Sequence, residues 1–120
     1  MILDLATYPC SKGSALTCDF TWSNSGGQST TLGGNPHYQL TLTNSATVQI
    51  DLDSKVDNFL YLLDSSGSIL SSNNNSWPGK DARIVLSLAT GTYEVVAATS
   101  RNRKSGSFTL TVKTGDLGAL

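Results

Sequence analysis

The side chains able to do chemistry are few and widely spread: one histidine, His37, and two cysteines, Cys10 and Cys18. A single imidazole among many serines is formally enough for a Ser-His-Asp triad, but a triad is defined by geometry, and composition carries no weight for one. The chain contains no GxSxG elbow and no HExxH helix. His37 is therefore read as a surface residue at the entry to a strand, and no catalytic residue is assigned. Two cysteines and one histidine also fall short of the four ligands of a structural zinc site. Cys10 and Cys18 bracket the short segment SKGSALT. Joined, they close a loop that contributes roughly 2.5 kcal/mol in the chain-entropy model. The competing reading is a pair of free thiols in a reducing compartment. The pairing and the remaining composition favour the disulfide, and with it an oxidising compartment.

The acidic string DLDSKVD carries Asp51, Asp53 and Asp57 and invites a calcium reading. It departs from the EF-hand loop, with Lys55 where an oxygen ligand belongs and Val56 where glycine is needed. The plainer reading is a solvated strand face and turn cap. The alternative gathers these carboxylates with Asn73, Asn74 or Asp81 around an ion. No cofactor is expected, and calcium is the one ion for which ligands are on offer.

Trp77 sits in the polar loop NNNSWPGKD, and Trp22 in a glycine-rich region. A flat ring stacks on sugars or proline-rich peptides at little rotamer cost, so both are candidate ligand-binding residues. Either can instead fold back to seal a sheet edge. The segment SRNRKSG groups Arg101, Arg103 and Lys104 without the interleaved aromatics of a single-strand nucleic-acid site. With a formal net charge of -1, no global field attracts nucleic acid or an anionic membrane, and neither is expected as a partner. No apolar run approaches the ~20 residues that span a bilayer. The opening MILDLATYPC lacks the basic region of a signal peptide, so an export signal is expected upstream or already removed.

These residues must be positioned by strands. Apolar residues recur at every second position, and helical periodicity is almost missing. HYQLTLT sets Tyr38, Leu40 and Leu42 on one face, and TVQIDLD does the same with Val48, Ile50 and Leu52. ARIVLSL follows with Ile84, Leu86 and Leu88, TYEVVAAT with Tyr93, Val95 and Ala97, and SGSFTLTV with Phe108, Leu110 and Val112. Turn-forming stretches separate the runs: DSSG, NNNSWPGKD, ATG and NRKSG. Short strands at this spacing predict an all-β antiparallel sandwich. The 120 residues suit one domain. Residues 1–33 are expected as a loosely structured lead-in, with short strands near Phe20 and Thr31, residues 34–113 as the sandwich core, and 114–120 as a tail.

The stretch DNFLYLLDSSGSIL, from Asp57 to Leu70, carries the most information. Leu60 and Leu62 are expected inward. Asp64 and Gly67 then bracket a tight turn, since Asp bonds backbone amides two residues on and Gly accepts positive φ. SIL becomes the return strand. Parity sends Phe59, Tyr61 and Leu63 to the opposite face, and an apolar row there needs either a cover or a partner. Phe59 and Tyr61 join the ligand-binding candidates on the second alternative. On the first, the lead-in folds across that face through Ile2, Leu3, Leu5 or Tyr8.

Together, DNFLYLLDSSGSIL, SSNNNS, DARIVLSLATGTYEVVAAT and SGSFTLTV resemble the bacterial pre-peptidase C-terminal domain family, over roughly Gly34 to Val112. The resemblance implies a jelly-roll-like sandwich appended to a secreted protease or other exoenzyme. It implies a non-catalytic accessory role, in maturation or in targeting to an insoluble collagen-like protein or polysaccharide, and a secreted or cell-surface location. Some relatives hold calcium through acidic residues ahead of the first strand, where this chain has Asp4 and Asp19. A carbohydrate-binding module and a structural or adhesin spacer are the alternatives.

Overall fold

The computed structural model describes residues 10–12, 16–22, 35–42, 44–55, 57–74, 82–99 and 106–114; for the first two segments and Thr114 it describes strand placement alone. The described strands are β1 (Cys10–Lys12), β2 (Leu16–Trp22), β3 (His37–Leu42), β4 (Ala46–Ser54), β5 (Asn58–Asp64), β6 (Ile69–Asn73), β7 (Ala82–Leu88), β8 (Gly91–Thr99) and β9 (Gly106–Thr114). They form two antiparallel sheets, the larger in the order β1-β2-β9-β4-β7 and the smaller in the order β3-β8-β5-β6. Only β1–β2 and β5–β6 are neighbours both in sequence and in a sheet; every other connection crosses between sheets. Without β1, the two orders are those of a jelly roll, two Greek keys wrapped face to face.

The core follows the alternation of the sequence. Tyr38, Leu40 and Leu42 of β3, Val48, Ile50 and Leu52 of β4, and Leu60 and Leu62 of β5 are fully buried between the sheets. Ala82, Ile84 and Leu88 of β7, Val95 and Ala97 of β8, and Phe108, Leu110 and Val112 of β9 belong to the same cluster, with Leu86 and Tyr93 packed at its border. Burying such side chains stabilises the fold by about 1.5–3 kcal/mol each.

The segment expected as a loose lead-in supplies both β1 and β2. β2 contains Phe20, and its register sets Leu16, Cys18 and Phe20 opposite Val112, Leu110 and Phe108 of β9. The physical reason is the edge of β9, which would otherwise present an unpaired row of amides and carbonyls. Short alternation between glycine-rich neighbours indicates only a short strand near Phe20, and β2 runs from Leu16 to Trp22. Thr31 lies outside the described residues.

The β5–β6 turn forms as its residues dictate. Asp64 Oδ1 accepts hydrogen bonds from Ser66 N at 2.9 Å, Ser66 Oγ at 2.6 Å and Ser68 N at 3.0 Å. The backbone closes with Gly67 N donating to Asp64 O at 3.0 Å and Asp64 N to Ser68 O at 2.9 Å. These bonds, led by the Ser66 hydroxyl, hold the Asp64 carboxyl below its ordinary range. Gly67 takes φ of 91°, in the left-handed region that favours glycine, and a Cβ there would meet nothing within 4 Å. The strain of a side chain at this position is thus conformational and not steric. Gly67→Val is expected to destabilise the domain by about 1 kcal/mol or more, read as a lower midpoint in urea. An unchanged midpoint would mean the turn does not depend on this φ.

Candidate functional site

Strand parity creates a second, separate cluster on the outer face of the smaller sheet. With Leu60 and Leu62 committed to the core, β5 turns Phe59, Tyr61 and Leu63 the other way. Their partners across β8 are Ala98, Val96 and Glu94, and His37 of β3 stands opposite Val96 on the far side. Tyr61 is 9% exposed and Leu63 5%, and Val96 and Ala98 are fully buried. Phe59 is half-buried, its ring centroid 4.7 Å from that of Tyr61 at an interplanar angle of 31°. Burial pushes the Tyr61 phenol up from its ordinary pKa. Of the two fates foreseen for this row, the burial favours cover: only Phe59 keeps substantial aromatic surface within reach. The residues named for that cover, Ile2, Leu3, Leu5 and Tyr8, lie outside the described residues. Beyond Leu63, Ile69 of β6 is 55% exposed and extends the apolar strip to the sheet edge.

Polar groups border this strip. His37 Nδ1 and Glu94 Oε1 lie 2.5 Å apart, at side-chain exposures of 32% and 39%. A pair this exposed stabilises by less than about 1 kcal/mol. It orients Glu94 more than it holds the sheet. Next to it, Gln39 of β3, Thr92, Tyr93 and Glu94 of β8, and Asp64 and Ser65 of the β5–β6 turn line a half-open cleft of about 300 Å³. The cleft joins strands distant in sequence, and nothing in the local pattern points to it.

Of the carboxylates considered for calcium, Asp51 and Asp53 lie on β4 of the larger sheet, facing away from its core residues. Asp51 stands directly across from Arg83, which donates from Nε to Oδ1 at 2.5 Å and from Nη2 to Oδ2 at 3.3 Å. Gln49 Nε2 donates to Oδ2 at 2.9 Å. Both Asp51 oxygens are thereby engaged. Asp53 is exposed two positions along β4, and Asp57 precedes β5; Asp81 lies outside the described residues. Among the described residues, no group of three His, Cys, Asp or Glu side chains is arranged to hold a metal. Saturating calcium is expected to move the melting temperature by no more than about a degree. Binding at 100 times Kd would instead add about 2.7 kcal/mol, a rise of roughly 10 °C, and would return Asp53 and Asp57 to candidacy.

Trp77, Arg101, Arg103 and Lys104 lie outside the described residues. Trp22 closes β2 opposite Gly106, and β1 sets Cys10 directly opposite Cys18.

Sequence reasoning passed over Asn58. It is fully buried at the start of β5, and its Nδ2 donates to Leu52 O at 3.2 Å and to Ser54 Oγ at 2.9 Å. Its Oδ1 accepts from Ala82 N at 2.9 Å. One side chain thus ties β4 and β7 of the larger sheet to β5 of the smaller. A lone Asn just ahead of an apolar run was the only available signal, and it reads equally well as a turn residue.

Comparison with known proteins places this architecture. Residues 35–100, more than half of the chain and enclosing β3 through β8, match the model of the bacterial pre-peptidase C-terminal domain. Among solved structures, the pre-peptidase C-terminal domain of a collagenase from Bacillus anthracis is similar at 14% identity and a TM-score of 0.59, over 79% of this chain and 87% of that one. PliG of Aeromonas hydrophila, a periplasmic inhibitor of g-type lysozyme, is similar at 12% identity and a TM-score of 0.60, over 87% and 90%. At these identities the likeness is one of fold. No curated protein sequence matches the chain. The family match, spanning the hairpin and both of its flanking strands, is the more specific finding, and by it the chain belongs to the bacterial pre-peptidase C-terminal domain family, whose members accompany bacterial peptidases as typically non-catalytic accessory domains.

Proposed function

We propose that this domain is the targeting module of a secreted bacterial exoenzyme, holding an attached catalytic domain near an insoluble protein or polysaccharide substrate. Membership of a family that accompanies peptidases is the observation that carries this reading. The mechanism is avidity: a weakly binding module raises the effective concentration of the tethered catalyst at its substrate, with no contribution to bond cleavage. Phe59, half-buried where Tyr61 and Leu63 are buried, is the aromatic contact for this task, and the polar cleft borders the same sheet. Trp22 and Trp77 are further contacts on the same proposal.

Sedimentation of the domain with fibrillar collagen and with insoluble polysaccharides tests it. Saturable adsorption to at least one polymer is expected, weakened per folded molecule by Phe59→Ala. Failure to adsorb to any of them would leave a structural spacer as the better reading.

Export carries a separate prediction. Directly opposite residues in an antiparallel pair have Cα atoms roughly 4.5–5.5 Å apart, inside the range a disulfide spans. The Cys10–Cys18 register therefore suits a bridge. Peptide mass spectrometry of unreduced protein from an oxidising environment is expected to find the two joined. Alkylation of both without prior reduction would remove this argument for secretion.

A further inference from the structure

Two open sheets leave four edge strands, and here the four are guarded unequally. β1 is three residues long, and the pairing of β6 with β5 shifts register between Leu62 and Leu63. β3 turns only His37, Gln39 and Thr41 away from the core, all of them polar. β7 has none of these protections. Its seven residues pair with residues 46–52 of β4 without a shift in register, and no lysine or proline interrupts them. Among the described residues, no strand pairs with its other edge. Arg83 is its one charge, and Asp51 of the adjacent strand already answers it.

Exposed apolar surface gathers at the same place. Ile69 at 55%, Leu70 at 42% and Val85 at 55% are the exposed large hydrophobic residues among those described, and all three lie on β6 or β7. These two edges are neighbours, since β6 packs against β7 across the sandwich. Leu86 is a second sign that the edge is incomplete. It shares the core-facing parity of Ile84 and Leu88, yet it stays half-buried where both of those are buried. A strand laid along the free edge of β7 would close over it.

The strand that fits is a second copy of β7. Turned about a two-fold axis through Val85, the segment ARIVLSL pairs with itself in antiparallel register: Val85 against Val85, Ile84 against Leu86, Arg83 against Ser87. Directly opposite residues share a face, so parity is kept. Ile84 and Leu86 of the two copies then extend the core row, and Val85 meets its counterpart on the outer face. No like charges come together, because Arg83 meets a serine and keeps Asp51. A formal net charge of -1 adds little repulsion at longer range. The axis stands perpendicular to the joined sheet, which draws the two β6 strands, with Ile69 and Leu70, toward each other.

We infer that β7 is a self-association edge through which two copies of this domain form a two-fold dimer, joining two five-stranded sheets into one. A single strand pair is a small interface, of the class below about 1,200 Å² in which association is weak. The dimer therefore forms at high local concentration. The outer faces of both smaller sheets then turn the same way, which presents two Phe59 contacts to one surface. The inference goes beyond the targeting reading and does not depend on it.

Sedimentation velocity of the domain between about 10 µM and 1 mM tests it. A reversible monomer–dimer equilibrium is expected, with no larger species. Val85→Lys sets like charges on the axis and guards the edge. It is expected to weaken the dimer about tenfold or more, with the melting temperature of the dilute protein as control. Val85→Cys reads the register: directly opposite cysteines lie within disulfide range, so mild oxidation is expected to link the dimer covalently. In Ser87→Cys the two cysteines stand about 14 Å apart along the strands, beyond that range, and no link is expected. The unsubstituted domain, with Cys10 and Cys18 alone, is the blank. The inference is overturned if the domain is a monomer throughout or if assembly grows beyond a dimer. It is equally overturned if Val85→Lys leaves association unchanged, or if Ser87→Cys links as readily as Val85→Cys.

Discussion

Tyr61→Ala is expected to lower the stability of the domain by about 3 kcal/mol, with adsorption per folded molecule unchanged. Tyr61 is 9% exposed, packs with Leu63, Val96 and Ala98, and carries the Phe59 ring against its own. Truncation removes most of a buried aromatic side chain and leaves a void that a sheet face can close only in part. For a domain of this size, the melting temperature should fall by roughly 10 °C. The matched adsorption measurement gives the experiment its decision. An intact melting temperature with lost adsorption would instead make Tyr61 a contact residue and the row an open binding face.

Asn58→Ala is expected to destabilise by a similar amount, about 3 kcal/mol, for a different reason. The substitution leaves Ala82 N–H and Leu52 C=O without their partner in a fully buried place, and each such loss costs about 1–3 kcal/mol. Asn58→Asp sharpens the test. The carboxylate keeps an acceptor for Ala82 N–H, lacks the donor for Leu52 O and brings a buried charge. Burial raises the folded-state pKa of such an acid above its unfolded value. The folded state then binds the extra proton, so the stability of this variant should rise as pH falls through that raised pKa. Urea midpoints across pH, compared with the unsubstituted domain, read the effect. Wild-type stability in Asn58→Ala would show that the two sheets are joined without this latch.

The strands were the most legible part of the molecule. Tyr38, Leu40 and Leu42, or Phe108, Leu110 and Val112, face the core because apolar residues at every second position leave a strand only one face to bury. The Asp64–Gly67 turn was equally readable, since its conformation is set by residues that are neighbours in the chain. The second apolar cluster was half legible. Parity put Phe59, Tyr61 and Leu63 on the far face, but Val96 and Ala98 lie in an unbroken apolar run where alternation marks only one set of positions.

What the sequence determined by itself was therefore local: strand positions, the inward face of each strand, the β5–β6 turn, and the scarcity of catalytic side chains. The tertiary structure alone decided which strands meet. β2 pairs with β9, β3 with β8 and β4 with β7 across long stretches of chain, and no local signal distinguishes these partners from others with the same alternation. That choice brought Arg83 onto Asp51, made Asn58 a latch between sheets, and assembled one cleft from β3, β8 and a distant turn. Period-two patterning specifies which face of a strand is buried, whereas partners are selected by packing the whole core at once, a property no short window of residues contains.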